Sequence, residues 1–416
     1  MPTFSQEDTE RIIWHEKSGA SRRLVNKMNI TIQPGKLQGL VTAPPSKSYG
    51  HRMLLCAQLA EGDSVISGLS ESEDILATKD CLHALQERTP DAVFPCRESG
   101  STLRFLIPSA LVLCGGGVFT GTQRLIERGI GIYEEIFASA AAMGADICLE
   151  KEADQIRIKG NLPAGNYKMR GDVSSQFVTG MLLALPLLEG NSMLRVLPPV
   201  ESRPYIDITI DVMKQFGVAI REVEPNLFLI RGGQKYQAGN YQVEGDWSNG
   251  AFLYGFREIG SDLQIQGLNM KSLQGDKACL SFFKMLPDQM IDLSDTPDLG
   301  PVLFAVAAAK GGGTFTGIRR LRIKESDRAQ AMADELAKFG AVCEVTENEM
   351  IIQSSGLKKP DVPLDGHNDH RVVMALSILA SITGGTILGA DAVRKSWPDF
   401  FDVMQKAGME FSVSES

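Results

Sequence analysis

The feature that most constrains this chain is a short pattern repeated six times, in two matched sets of three. Each copy is an apolar run that stops at glycine, then a strand-like run and a turn. The copies read LCAQLAEGDSVISG (55–68), ALVLCGGGVFTG (110–121), ALPLLEGNSMLRV (184–196), GFREIGSDLQIQG (255–267), AVAAAKGGGTFTG (305–317) and LASITGGTILG (379–389). Corresponding copies in the two sets lie 195–198 residues apart, and the second and fifth align without a gap over GGGVFTGTQRL and GGGTFTGIRRL. A unit this small cannot bury its apolar face alone and must pack against copies of itself. Three copies per half therefore predict two similar α/β domains with a cleft between them, and the cleft is where function is expected.

Bulk composition excludes several classes. A net charge of −9 over 416 residues argues against general nucleic-acid binding, although it leaves room for a local basic pocket. The seven cysteines show no Cys-x-x-Cys spacing and mostly sit in apolar runs, which reads as buried free thiols in a reducing, cytoplasmic setting. No metal site is expected from five histidines of which only His367 and His370 are close together. No apolar run reaches the roughly 18 residues of a membrane span, so no membrane partner is expected. Residues 1–27 mix acids and bases without an apolar core and read as a mobile extension, helical over 6–18 if structured at all.

Polar clusters precede every apolar helix: PSKSYGHR (45–52), ESGSTLR (98–104), DVSSQF (172–177), GDWSNG (245–250), SDTPDLG (294–300) and NDHR (368–371). One Ser, Thr, Asp or Asn suffices to cap a helix, and capping is the plain explanation. These clusters, however, carry several polar residues and charges. Helix starts also collect partial positive charge and unpaired amides, so they favour anions. Basic residues recur near them: Lys47, Arg52, Arg124, Arg128, Arg320, Arg322, Lys324, Arg328, Arg371 and Lys395. A single cation facing a phosphate contributes about 4 kcal/mol at an effective dielectric near 20, before desolvation. The pattern suits a ligand with more than one anionic group. Nucleotide-binding loops, the Gly-x-Ser-x-Gly elbow and His-Glu-x-x-His are all missing from the sequence.

Nine segments, PPSKSYGHR, SGSTLRFL, RLIERGIG, DVSSQF, ESRPYIDITI, TPD (296–298), RIKESDR, NDHR and RKSWPDFF, stand in the order seen in the 5-enolpyruvylshikimate-3-phosphate synthases. From about residue 29 to 412 the chain resembles that family. The resemblance implies two domains, each of three βαβαββ repeats (an inside-out α/β barrel), closing on an active site in the interdomain cleft. It implies transfer of the enolpyruvyl group of phosphoenolpyruvate to the 5-hydroxyl of shikimate 3-phosphate with release of phosphate, and no cofactor. One domain would comprise 28–43 plus 245–416 and the other 44–244. No interface demands an oligomer, so a monomer is expected.

By the same resemblance, Lys47, Ser48, Arg52, Ser174, Ser175, Gln176, Ser202, Tyr205, Asp298, Arg320 and Lys324 would hold shikimate 3-phosphate. Lys47, Gly100, Arg124, Gln176, Arg328, His370, Arg371 and Lys395 would hold phosphoenolpyruvate. Asp298 would take the proton of the 5-hydroxyl, Glu325 would protonate C3, and Lys47 would stabilise developing charge. The plain alternatives are an N-cap for Asp298 and an ion-pair partner of Arg322 or Arg328 for Glu325. Pro45, Glu98, Ser101, Gly129, Arg320 and Leu321 depart from the family's common residues. Among rivals, the UDP-N-acetylglucosamine enolpyruvyl transferases carry a cysteine in the region matching 121–131, and this chain has none there. A nucleic-acid end-processing enzyme lacks support in an acidic chain, and a silent anion-binding paralogue would not need Lys47, Asp298 and Glu325 together.

Overall fold

The computed structural model describes residues 28–415 and, for backbone only, the strand Ile12–Trp14. Each repeat begins with a buried helix: Lys47–Leu59, Gly100–Cys114 and Ser175–Ala184, then Trp247–Glu258, Gly300–Ala309 and His370–Thr383. Each helix is followed by the strand that the glycine-terminated pattern predicts, for example Gly116–Thr120 and Gly312–Thr316.

Four repeats build sheets of one topology, in which a short parallel strand, the central strand and two antiparallel strands lie side by side. In the second repeat the order is Val93–Pro95, Gly116–Thr120, Gln155–Lys159, Cys148–Lys151. The fifth repeats it with Ile291–Asp292, Gly312–Thr316, Glu349–Gln353, Val342–Val345. The shared GGG motif has a specific cause. Gly116 and Gly312 sit at φ 132° and 139°, and a Cβ there would meet Ile158 O at 2.0 Å and Ile352 O at 2.3 Å. Only glycine lets the paired strand approach so closely.

The sheet of the sixth repeat is completed by both ends of the described chain, since Met28–Ile32 lies antiparallel between Gly385–Leu388 and Phe411–Glu415. The shorter first and fourth repeats are closed by connecting strands. Ser64–Ser67 pairs in parallel with Asn240–Gln242, and Asp262–Gln266 with Gln38–Thr42. Ile12–Trp14 adds a parallel strand on Ser64–Ile66, so these residues are extended rather than helical. The remainder of 1–27 lies outside the described residues.

The chain divides into two compact units, one containing Pro45–Val243 and the other 28–44 with 244–415. Each has its own apolar core, with helices inside and sheets outside. In the first unit Leu54, Leu103, Leu106, Phe119 and Leu182 are fully enclosed, as are Leu253, Leu303, Phe304, Leu376 and Phe400 in the second. Each such side chain contributes about 1.5–3 kcal/mol. Five cysteines are buried, Cys343 is half-buried and Cys148 is exposed. No helix among the described residues is long and apolar enough to cross a membrane.

Candidate active site

The helix starts are where the two units carry their polar machinery. Ser46, Ser99, Ser174, Asp246 and Asp369 each cap a repeat helix by accepting a first-turn amide. The fifth helix is instead entered through a tight turn, Pro297–Leu299, that carries Asp298. Capping is therefore real at five of the six clusters, and the remaining polar groups are left to bind one another or a ligand.

In the second unit five predicted residues converge. The Asp298 carboxylate meets Arg328 Nη1 at 2.8 Å, Arg371 Nη2 at 3.0 Å and Lys324 Nζ at 3.2 Å. Arg328 also donates from Nη2 to Glu325 (2.7 Å) and from Nε to Asp369 (2.8 Å). Its guanidinium is almost entirely enclosed, with 1 % of the side chain exposed. Asp369, fully buried, accepts further from Ser326 Oγ (3.0 Å) and caps the next helix through Arg371 N (2.9 Å). Arg371 is steadied by Ser248 Oγ at 2.9 Å. Burial pushes the Lys324 ammonium down to about 8, against the pull of Asp298 and with Arg320 and Arg328 adding to the fall. Arg320 is buried, His370 is buried beside Asp369, and Lys395 donates to Asn368 O at 2.7 Å.

In the first unit the partners are mostly neutral. Arg52 commits four of its five N–H groups to Thr209 Oγ1 (2.8 Å), Ser48 O (2.7 Å), Thr179 Oγ1 (3.2 Å) and Tyr205 O (3.0 Å). It lies over the Phe105 ring, 4.9 Å from the centroid. That ties the helix Lys47–Leu59 to Ser175–Ala184 and Arg203–Gln215, and leaves one N–H for a ligand. Lys47 pairs with Asp74 at 2.8 Å. Gln176 joins two helix starts, accepting from Arg104 Nη1 (2.6 Å) and donating to Ser101 Oγ (2.9 Å). Ser174 and Ser175 are buried at the same helix start, and Ser202 is buried with φ 57° at the entrance to Arg203–Gln215, three residues before Tyr205.

Gly100 is the focus of this cluster. A Cβ on it would sit 3.2 Å from Arg128 Nη2 and 3.3 Å from Arg104 Nη1. Arg128 and Arg104 thus both reach Gly100, and Arg124 is exposed one turn before Arg128 on Gln123–Glu127. The chain turns at Gly129 with φ 73°, a conformation closed to the proline common there in the family. The Gly129 carbonyl then accepts from Arg104.

Sequence reasoning missed Asp74, Arg104 and Asp369 as partners. Their signal was present, because Asp74 lies in the first turn of Glu73–Gln86 and the others inside quoted motifs, but each pairing spans tens of residues. Among the described residues no group of His, Cys, Asp and Glu could hold a metal ion.

Comparison with known proteins gives one answer throughout. The sequence pattern of the family described as EPSP synthase (3-phosphoshikimate 1-carboxyvinyltransferase) matches residues 32–404. A 3-phosphoshikimate 1-carboxyvinyltransferase of Clostridium kluyveri is 38% identical, covering 92% of this chain and 97% of its own. One of Clostridium botulinum is 36% identical over 91% and 97%. Among solved structures, EPSP synthase of Acinetobacter baumannii superposes with a TM-score of 0.76 at 25% identity, covering 93% of this chain and all of the other.

Proposed function

We propose a division of labour that starts from one premise: the chain belongs to the EPSP synthase family of 3-phosphoshikimate 1-carboxyvinyltransferases. The enzyme transfers the enolpyruvyl group of phosphoenolpyruvate to the 5-hydroxyl of shikimate 3-phosphate and releases phosphate. The chemistry asks for three things. The 5-hydroxyl oxygen bonds to C2 as its proton leaves, C3 gains a proton, and the C2–O bond to phosphate then breaks as C3 gives a proton up.

On this reading the first unit supplies a standing anion site. Arg104, Arg128 and the Gly100 helix start take phosphoenolpyruvate, with Lys47 and Gln176 beside them. Ser174, Ser175, Ser202 and Tyr205 take shikimate 3-phosphate, with Ser48 and Arg52 as the floor. The second unit supplies Lys324 and Arg320 for shikimate 3-phosphate, and Arg328, Arg371, His370 and Lys395 for phosphoenolpyruvate.

Asp298 is the base for the 5-hydroxyl and Glu325 the proton donor to C3. The observation that carries this assignment is the cation set around Asp298. Arg328, Arg371 and Lys324, all within 3.2 Å, are the groups that substrate anions would claim. When they turn to substrate, the carboxylate loses its partners and becomes able to accept a proton. Glu325 shares Arg328 with it and changes in step. Lys47 stabilises charge on the reacting oxygens. The buried thiols suit a reducing compartment, and the same reading makes the enzyme a cytoplasmic monomer.

The test is phosphate release from phosphoenolpyruvate with shikimate 3-phosphate or UDP-N-acetylglucosamine as acceptor. Release with shikimate 3-phosphate alone is expected, and release with the sugar nucleotide would overturn the reading.

A further inference from the structure

We propose that Glu335 and His367 are positioning residues that hold the Asn368–Arg371 segment where Arg328 and Lys395 can use it. This rests on the assignment of phosphoenolpyruvate to Arg328, Arg371 and Lys395. The helix Arg328–Lys338 buries Ala329, Met332, Glu335 and Leu336 on one face. Arg328 and Glu335 are two turns apart on it, and both bind the same short stretch of chain. Arg328 takes Asp369 at one end. Glu335 accepts from Asp365 N (2.9 Å) and faces His367 Nε2 (3.1 Å) at the other.

The stretch between is a tight turn. His367 and Asn368 follow each other at φ 50° and 49°, its two left-handed centres, and Asp369 N closes it by donating to Gly366 O at 2.9 Å. Gly366 precedes them where a Cβ would strike Val373 Cγ2 at 2.7 Å, so the turn is pressed onto the NDHR helix. The turn carries Asn368 O, which accepts from Lys395, and ends at Asp369, which holds Arg328 and caps the helix through Arg371 N. A turn held by a buried carboxylate thus places the groups that bind Lys395 and Arg328 and the cap on the Arg371 amide. Glu335 is 2 % exposed, far more enclosed than a carboxylate needed only for surface charge.

His367 is raised above the ordinary histidine range by its bond to Glu335, with Asp365 and Asp334 adding to the effect of Glu335's charge. Lys338, on the other side of Glu335 at 2.8 Å, is the remaining charged neighbour. The clamp is therefore strongest with His367 protonated and weakens as pH rises through that raised value.

The experiment compares His367→Leu, His367→Gln, Lys338→Met and Lys395→Met in the full-length enzyme, reading KM for phosphoenolpyruvate, kcat and melting temperature. H367L should raise that KM about 5–10-fold with kcat within about twofold, and H367Q, which keeps an N–H donor, should restore it. K338M removes a donor from the same carboxylate and from Pro363 O while leaving every bond of the 366–369 turn in place, and should leave KM within about twofold. Only enzyme with His367 should lose affinity as pH climbs past the ordinary histidine range. If K395M raises KM and H367L does not, or if K338M matches H367L, the positioning role is wrong. If K395M and H367L both leave KM unchanged, the phosphoenolpyruvate assignment falls and this inference falls with it.

Discussion

The two units hold the arginines at their helix starts in opposite ways. Arg52 and Arg104 in the first unit are held by hydroxyls, carbonyls and an amide, whereas Arg328 and Arg371 in the second are held largely by Asp298, Glu325 and Asp369. Neutral acceptors fix a guanidinium without cancelling its charge, so Arg52 keeps its pull on an anion. Carboxylate partners cancel the charge, so the second cluster has acids and bases that a ligand can set free. The lesson is that similar helix starts diverged in the type of partner that holds their arginines.

The largest expected difference is in stability. Arg328→Met takes a charged partner from three carboxylates, one fully buried, and should cost about 3–5 kcal/mol by urea unfolding. Arg52→Met strands only neutral acceptors and should cost about 1–3 kcal/mol. Equal costs would erase the contrast between the units. Next, Arg128→Ala should raise KM for phosphoenolpyruvate about 10–30-fold while Arg124→Ala stays within about threefold. The reverse order in steady-state kinetics would return the site to Arg124.

The smallest effect is in pH. With Lys324 pushed down to about 8, kcat/KM for shikimate 3-phosphate should decline above about pH 8 as the ammonium loses its proton, and Lys324→Arg should flatten the curve. The same shift has the opposite sign for folding. Between that value and the ordinary lysine range the unfolded chain binds the extra proton, so stability should rise with pH in wild type and not in the arginine variant.

Much of this molecule is legible in its amino-acid order. Six glycine-terminated repeats announce two units with helices inside, and the triple glycines stand where strands pair too closely for a side chain. The functional clusters are legible as helix starts with more polar groups than capping needs. What stays hidden is pairing across distance. Asp369 reads as a cap until Arg328 is seen to lie against it, and Gln38–Thr42 gives no sign that its partner is Asp262–Gln266. Arg124 and Arg128 are four apart in one motif, and only the end of the short helix and the left-handed Gly129 decide which faces Gly100. Periodicity reports which face is buried, but it does not report which charge meets which.

The most direct test of the account sets Asp298→Asn beside Arg128→Ala in one steady-state experiment with phosphoenolpyruvate varied. The account predicts a clean split: D298N loses about 10²–10⁴-fold in kcat with KM nearly unchanged, while R128A loses affinity and keeps most of its kcat. Two variants failing in the same parameter, or a D298N enzyme that turns over normally, would contradict the assignment of Arg128 to anion capture and of Asp298 to proton transfer.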